Sequence, residues 1–150
     1  MLNKDPLIFR WVSIINPQLL VWEKVKGVVS MLREKMIGTW RLVGFRFIEA
    51  DGTQGKEEDA PTGGRMEYTA EGHMATATRQ ANGDYFSYFG EFELKNETVF
   101  HHIELSAHAK LEGTTTVREV SFEGDNLVLT ASPPVMGGPG SKASLIWKKI

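Results

Sequence analysis

Cysteine is absent from the 150 residues. That excludes a disulfide framework, a thiolate zinc site and a cysteine nucleophile together. It also agrees with a reducing cytoplasm, the compartment expected for the chain. Long apolar runs are missing as well. The stretch from Leu7 to Ile15 is interrupted by Arg10 and falls short of the roughly 18 uninterrupted apolar residues of a membrane-spanning helix. No small-residue cleavage site follows it, so a secretory signal is not expected. Basic charge is scarce where a nucleic-acid surface would need it. The net charge is −2, and it divides unevenly. Residues 1–36 carry six Lys/Arg and three Asp/Glu, whereas the remaining 114 carry 11 and 16. A body that acidic makes a poor partner for a phosphate backbone, so no nucleic-acid partner is expected.

What is present reads as one domain of ordinary size. A chain of this length buries roughly 68–70% of its unfolded surface and needs no staples. Its character changes near Met36. Before that point the apolar period is helical: Asn16-Pro17 suits a helix start, and Trp22, Val25, Val29, Leu32 and Met36 recur at steps of three and four. Gly27 weakens this helix by about 1 kcal/mol relative to Ala. The division expected is an extension over 1–35, helical from about 17, and a β domain over 36–150.

Beyond Met36, short β-favouring runs alternate with turn chemistry. Strands are expected near 38–49, 65–70, 73–79, 85–94, 97–106, 114–123, 126–131 and 143–149. Between them stand Asp51-Gly52, Glu71-Gly72, Asn82-Gly83, Lys95-Asn96, Gly124-Asp125 and Gly137-Gly138-Pro139-Gly140. Connections this short require antiparallel neighbours. Eight meandering strands after one helix favour an all-β, closed, up-and-down eight-stranded barrel, because closure removes exposed edges. A two-sheet sandwich is the alternative.

Gly38-Thr39-Trp40 opens the first strand, and Gly-x-Trp at that place resembles the lipocalin and fatty-acid-binding-protein signature. The ordered set from Ile37 to Phe45, Gly64 to Met74, His101 to Ser106, Gly113-Thr114, Arg118, Asp125 to Thr130 and Leu145-Ile146-Trp147 is similar to the bacterial lipocalin-like domain family of the calycin superfamily. The likeness covers about residues 36–150. Residues 1–35 have no counterpart in that pattern. After the His-His strand the chain has Ala107-His108-Ala109-Lys110-Leu111 where such domains tend to show a Pro and an aromatic. The resemblance implies a barrel with an internal cavity for a small apolar or amphipathic molecule. It implies no particular reaction, although some lipocalin-like relatives act as cyclases or isomerases.

Alternation along each strand separates two faces. In the fourth strand Phe86, Tyr88, Gly90, Phe92 and Leu94 form the apolar face, taken as internal. In the sixth, Arg118 shares a face with Thr116, Val120 and Phe122. An unpaired guanidinium there would be costly. It therefore either forks a ligand carboxylate, joins an internal ion pair, or packs across Trp40 at a closed end. His101 and His102 are neighbours on one strand and face opposite ways. Face composition points Val99, His101, Ile103 and Leu105 inward, with Phe100, His102, Glu104 and Ser106 as the rival lining. His101 is then either a hydrogen-bonded core histidine or a general base. His102-x-Glu104 resembles two metal ligands, but no third is placed by sequence, so no metal and no cofactor are expected. Tyr68, Met66, Met74 and Trp147 also read as inward. Tyr68 and Tyr88 offer hydroxyls either to a ligand or to a neighbour across the barrel. Trp40 reads as a structural plug. The Gly-rich run ending in Ser141-Lys142 lacks the spacing of a phosphate-binding loop.

These residues lead to a non-catalytic binder of a small hydrophobic or amphipathic molecule, contacted by Arg118, His101, Tyr68, Tyr88, Phe86, Phe92 and Met74. The alternative is a small barrel enzyme, an isomerase, cyclase or hydrolase, with His101 or Glu104 as acid/base. Residues 1–30 are read as a loosely attached segment, as a cap over one mouth, or as an interfacial membrane anchor through Lys24, Lys26, Phe9, Trp11 and Trp22.

Overall fold

The turn residues act where their backbone chemistry demands. Gly38 adopts φ +137° and Asn96 φ 53°, conformations that side chains with bulk at Cβ avoid. Gly38 also has the Lys149 side chain within contact distance of any Cβ that might be added there, which accounts for the glycine of Gly-x-Trp. A computed structural model describes residues 17–134 and 138–150. It contains helix α1 (Pro17–Met36) and strands β1 (Gly38–Ile48), β2 (Gly63–Tyr68), β3 (His73–Arg79), β4 (Tyr85–Lys95), β5 (Thr98–Ser106), β6 (Thr115–Glu123), β7 (Asn126–Ala131) and β8 (Lys142–Lys149). Each strand pairs antiparallel with the next, and β8 returns to β1, so the sheet closes into an eight-stranded up-and-down barrel. The sandwich alternative is thereby set aside. Asn16, Phe9 and Trp11, and the side chain of Trp22, lie outside the described residues.

Inward residues of all eight strands form one core, with Trp40, Met66, Tyr68, Met74, Tyr88, Phe92, Val99, Ile103, Val120, Leu127, Leu129 and Trp147 buried in it. Met36, the last residue of α1, is wholly buried with them. The last turn of the helix closes the end of the barrel where β1 begins. The Trp40 indole N–H donates to the Met36 carbonyl (2.8 Å). Lys149 Nζ donates to the Lys35 carbonyl (3.1 Å), and the Arg33 guanidinium donates to the Ala70 carbonyl (3.0 Å). Arg33 also lies over the Phe92 ring, Lys35 over Phe122 and Lys149 over Trp40. Earlier turns of the helix behave differently. Val21, Val25, Val28 and Met31 are exposed, the three valines lining an open groove of about 570 Å³ shared with Asn96, Glu97 and Thr98.

Two irregularities adjust the lining. In β1 the register against β8 shifts between Leu42 and Gly44. In β5 the register against β4 shifts between Phe89 and Gly90. Gly90 sits so close to β5 that an added Cβ would lie 1.8 Å from the His102 carbonyl oxygen. One residue of bulge reverses the side-chain alternation beyond it. Leu105, expected inward, is accordingly 56% exposed.

Candidate functional site

The two ends of the barrel differ: the last turn of α1 covers one, and the β5–β6 connection lies at the other. Odd-numbered strands run away from α1 and even-numbered strands run back, so the start of β4, the β5–β6 connection and the start of β8 meet at the far end. Inward apolar side chains there, Phe86, Leu111 and Leu145, are only partly buried although they pack against the core. Leu111 belongs to a short 3-10 turn, Ala109–Leu111, and His108 just before it lies against Phe86 with ring centres 5.6 Å apart. This connection supplies one leucine and one histidine at that end of the barrel.

Midway between the ends, three polar rings meet. The Tyr68 hydroxyl lies 2.7 Å from His101 Nε2, and the Tyr88 hydroxyl lies 2.8 Å from His101 Nδ1. All three residues are at most 3% exposed. β2, β4 and β5 deliver them from separate parts of the sequence, and closure of the sheet brings them together. Burial drives the His101 pKa down to about 3, and Arg118 and then His102 push in the same direction. Burial likewise raises Tyr68 well above the ordinary tyrosine value, aided by Tyr88 and opposed by Arg118. Tyr88 is raised by burial, against the lowering influence of Arg118 and of a side-chain hydrogen bond with Thr116. At neutral pH the three rings therefore share three hydrogens: two phenolic and one on the imidazole.

Two hydrogen bonds use two of those three. A neutral imidazole donates from one nitrogen and accepts at the other. Tyr68 lies toward the closed end, with the Phe92 ring edge-on at 4.8 Å. Were Tyr68 the acceptor, its own hydrogen would be stranded in apolar surroundings at a cost of about 1–3 kcal/mol. Tyr68 thus donates to Nε2, Nδ1–H donates to Tyr88, and the hydrogen left over belongs to Tyr88. Beside it stands Thr116, 8% exposed and cross-strand from His101. A side-chain hydrogen bond joins the Tyr88 and Thr116 hydroxyls, whereas the buried indole N–H of Trp147 has no partner among the described residues. Arg118 lies on the same face of β6, partly buried. Its guanidinium donates to the Val117 carbonyl at 2.8 Å, and among the described residues it forms no ion pair with a carboxylate.

Of the residues singled out from sequence, Tyr68, Met74, Tyr88, Phe92 and His101 are buried in the interior, with Phe86 and Arg118 partly buried on the same lining. Glu104 is not brought to them. It is exposed on the outer face of β5, because residues alternate across a strand. His102 also faces outward, where its ring nitrogens meet Thr115 Oγ1 (2.9 Å) and Glu93 Oε2 (3.0 Å). The carboxylate of Glu93 is held below its ordinary pKa chiefly by the His102 hydrogen bond. Alternation along β6 puts Thr116 on the inward face, where it is buried. Only the cross-strand register sets it beside Tyr88 and His101.

Fold and interior together define a class: a single closed β-barrel, plugged at one end by a helix and lined at mid-height by hydrogen-bond donors. The model of the lipocalin-like domain matches residues 75–150, just over half of the chain, and the chain belongs to that family. No curated protein matches it. Among solved structures it is similar to a lipocalin-like protein from Bacteroides uniformis ATCC 8492, at 16% identity over 77% of this chain and 99% of that one, TM-score 0.47. An uncharacterized protein from Bacteroides eggerthii DSM 20697 gives 13% identity, 77% and 99% coverage and TM-score 0.44. A de novo designed fluorescence-activating β-barrel gives 13% identity, 79% and 96% coverage and TM-score 0.49.

Proposed function

We propose that the barrel is a non-catalytic binder of a small, largely apolar or amphipathic molecule, received at the mouth opposite α1. The observation that carries this reading is the partly buried ring of inward apolar side chains at that mouth, Phe86, Leu111 and Leu145, which lies above the buried polar groups Tyr88, His101 and Thr116. Covering such apolar surface contributes about 25 cal/mol per Å² removed from water. A few polar groups beneath would orient the guest. The two surface hollows, of about 570 and 310 Å³, are lined mostly by residues outside the barrel interior.

The enzyme alternative finds less support. His101, with a pKa of about 3 and both nitrogens engaged, is a weak base at neutral pH. Glu104 is outside. Titration of the purified protein with Nile red, a neutral apolar dye, tests the binding reading. Saturable fluorescence enhancement that Leu111→Asp weakens at least tenfold is expected. A dye that stays dark at micromolar protein, together with native mass spectra free of any co-purified small molecule, would refute the proposal.

A further inference from the structure

Helix α1 carries one continuous apolar face whose two halves meet different surroundings. Steps of three and four residues put Val21, Val25, Val28, Leu32 and Met36 on the same side of the helix. Leu32 and Met36 pack on the barrel core. Val21, Val25 and Val28 run on past it and are 41% to 63% exposed, walling the open groove against Asn96, Glu97 and Thr98. The opposite face carries Lys26, Ser30 and Glu34, all exposed. Single apolar residues on a surface are ordinary, but an uncovered stripe marks a place of contact.

Charge and size decide what covers it. The helix holds Lys24, Lys26, Arg33 and Lys35 against Glu23 and Glu34, and Lys24 lines the groove itself. Across the groove Lys95 offsets Glu97, both exposed. Residues 1–16, which lead into the helix, are largely apolar in composition, with Phe9 and Trp11 among them, and carry Lys4 and Arg10 against Asp5. Residues 37–150 hold 11 basic and 16 acidic side chains, so an anionic surface attracts the N-terminal region and repels the barrel. A second copy of the chain fits this face poorly. From Val21 to Met31 the helix rises about 15 Å, and a strip that short and one helix wide falls far below the roughly 800 Å² per partner of a stable interface. Pairing it with itself would also set lysine against lysine.

We infer that α1 docks the protein on an anionic phospholipid bilayer, its uncovered valines entering the headgroup boundary and Lys24 and Lys26 meeting lipid phosphates. No described helix is long and apolar enough to cross a membrane. A helix with one apolar face and basic residues beside it lies along the interface, held by buried apolar area and by attraction to anionic headgroups together. Docking of this kind needs no guest in the barrel.

Co-sedimentation of the full chain with phosphatidylcholine vesicles, with and without one-third phosphatidylglycerol, tests this. Binding to the anionic vesicles should be at least tenfold tighter than to phosphatidylcholine alone, and should fall by a similar factor in half-molar salt. The double variant Val25→Gln, Val28→Gln keeps good helix formers on the face. It and the double variant Lys24→Glu, Lys26→Glu should each weaken binding at least tenfold, with thermal melting and Nile red binding unchanged. No binding to anionic vesicles, equal binding to both kinds, or binding that survives the glutamines would overturn the proposal. A dimer in light scattering that the glutamines dissociate would overturn it too, by giving the face to a second copy.

Discussion

His101 is the residue on which the interior turns, and its protonation leaves a thermodynamic trace. A histidine with a pKa near 6.5 when unfolded and about 3 when folded binds its proton only in the unfolded chain between those values. Stability therefore falls as pH drops from 6.5 toward 3, by up to about 1.4 kcal/mol per pH unit and about 5 kcal/mol over the window. Above pH 6.5 this contribution is fully present. Urea unfolding from pH 7 to pH 4 should show a steeper loss in the wild type than in His101→Gln, whose amide does not titrate. Parallel slopes would mean that the ring is charged, or open to water, in the folded state. The tyrosines act with the opposite sign. Both have raised pKa values, so above pH 10 the unfolded chain gives up protons that the folded one keeps, and stability declines as pH rises. Tyr68→Phe should lessen that alkaline decline, provided the comparison is made on unfolding midpoints.

At the level of elements, two places separate packing from backbone geometry. Met36 is the wholly buried end of α1, so Met36→Ala should cost about 2–5 kcal/mol, as truncation of a buried methionine does. The upstream helix carries exposed Val21, Val25, Val28 and Met31. Removing residues 1–30 should therefore shift the melting temperature by no more than about 4 °C and leave Nile red binding unaltered. A collapse of the melting transition on that deletion would show that the whole helix, rather than its last turn, supports the barrel. Gly90 supplies the backbone case. Its Cα faces the His102 carbonyl so closely that even a methyl group would meet it at 1.8 Å. Gly90→Ala should force β4 and β5 apart and destabilise by several kcal/mol, beyond the about 1 kcal/mol median of single substitutions. Thermal melts followed by far-UV circular dichroism would register this directly.

For the molecule as a whole, strand order and barrel closure could be read from the chain. Period-two runs such as Tyr85–Lys95, divided by turns at Gly72, Asn96 and Gly124, specify strands that pair locally. The inward placement of His101, Arg118, Tyr68 and Tyr88 followed from the same alternation. Leu105 escaped it because a bulge is a property of two strands in contact: the close approach at Gly90 changes the phase of β5 without any mark in the sequence of β5 itself. Leu111 escaped for a related reason. It lies in a turn whose own residues show no period, and its burial depends on the barrel mouth beneath it.

Local chemistry, then, determined which segments became strands, where the chain reversed and which face of each strand was apolar, since these follow from steric and hydrophobic preferences over a few residues. Only the closed structure decided that Tyr68 and Tyr88, on strands apart in sequence, should grip one imidazole between them. Hydrogen-bond partners and the loss of water around a ring are set by distances across the barrel. No stretch of residues read alone contains those distances.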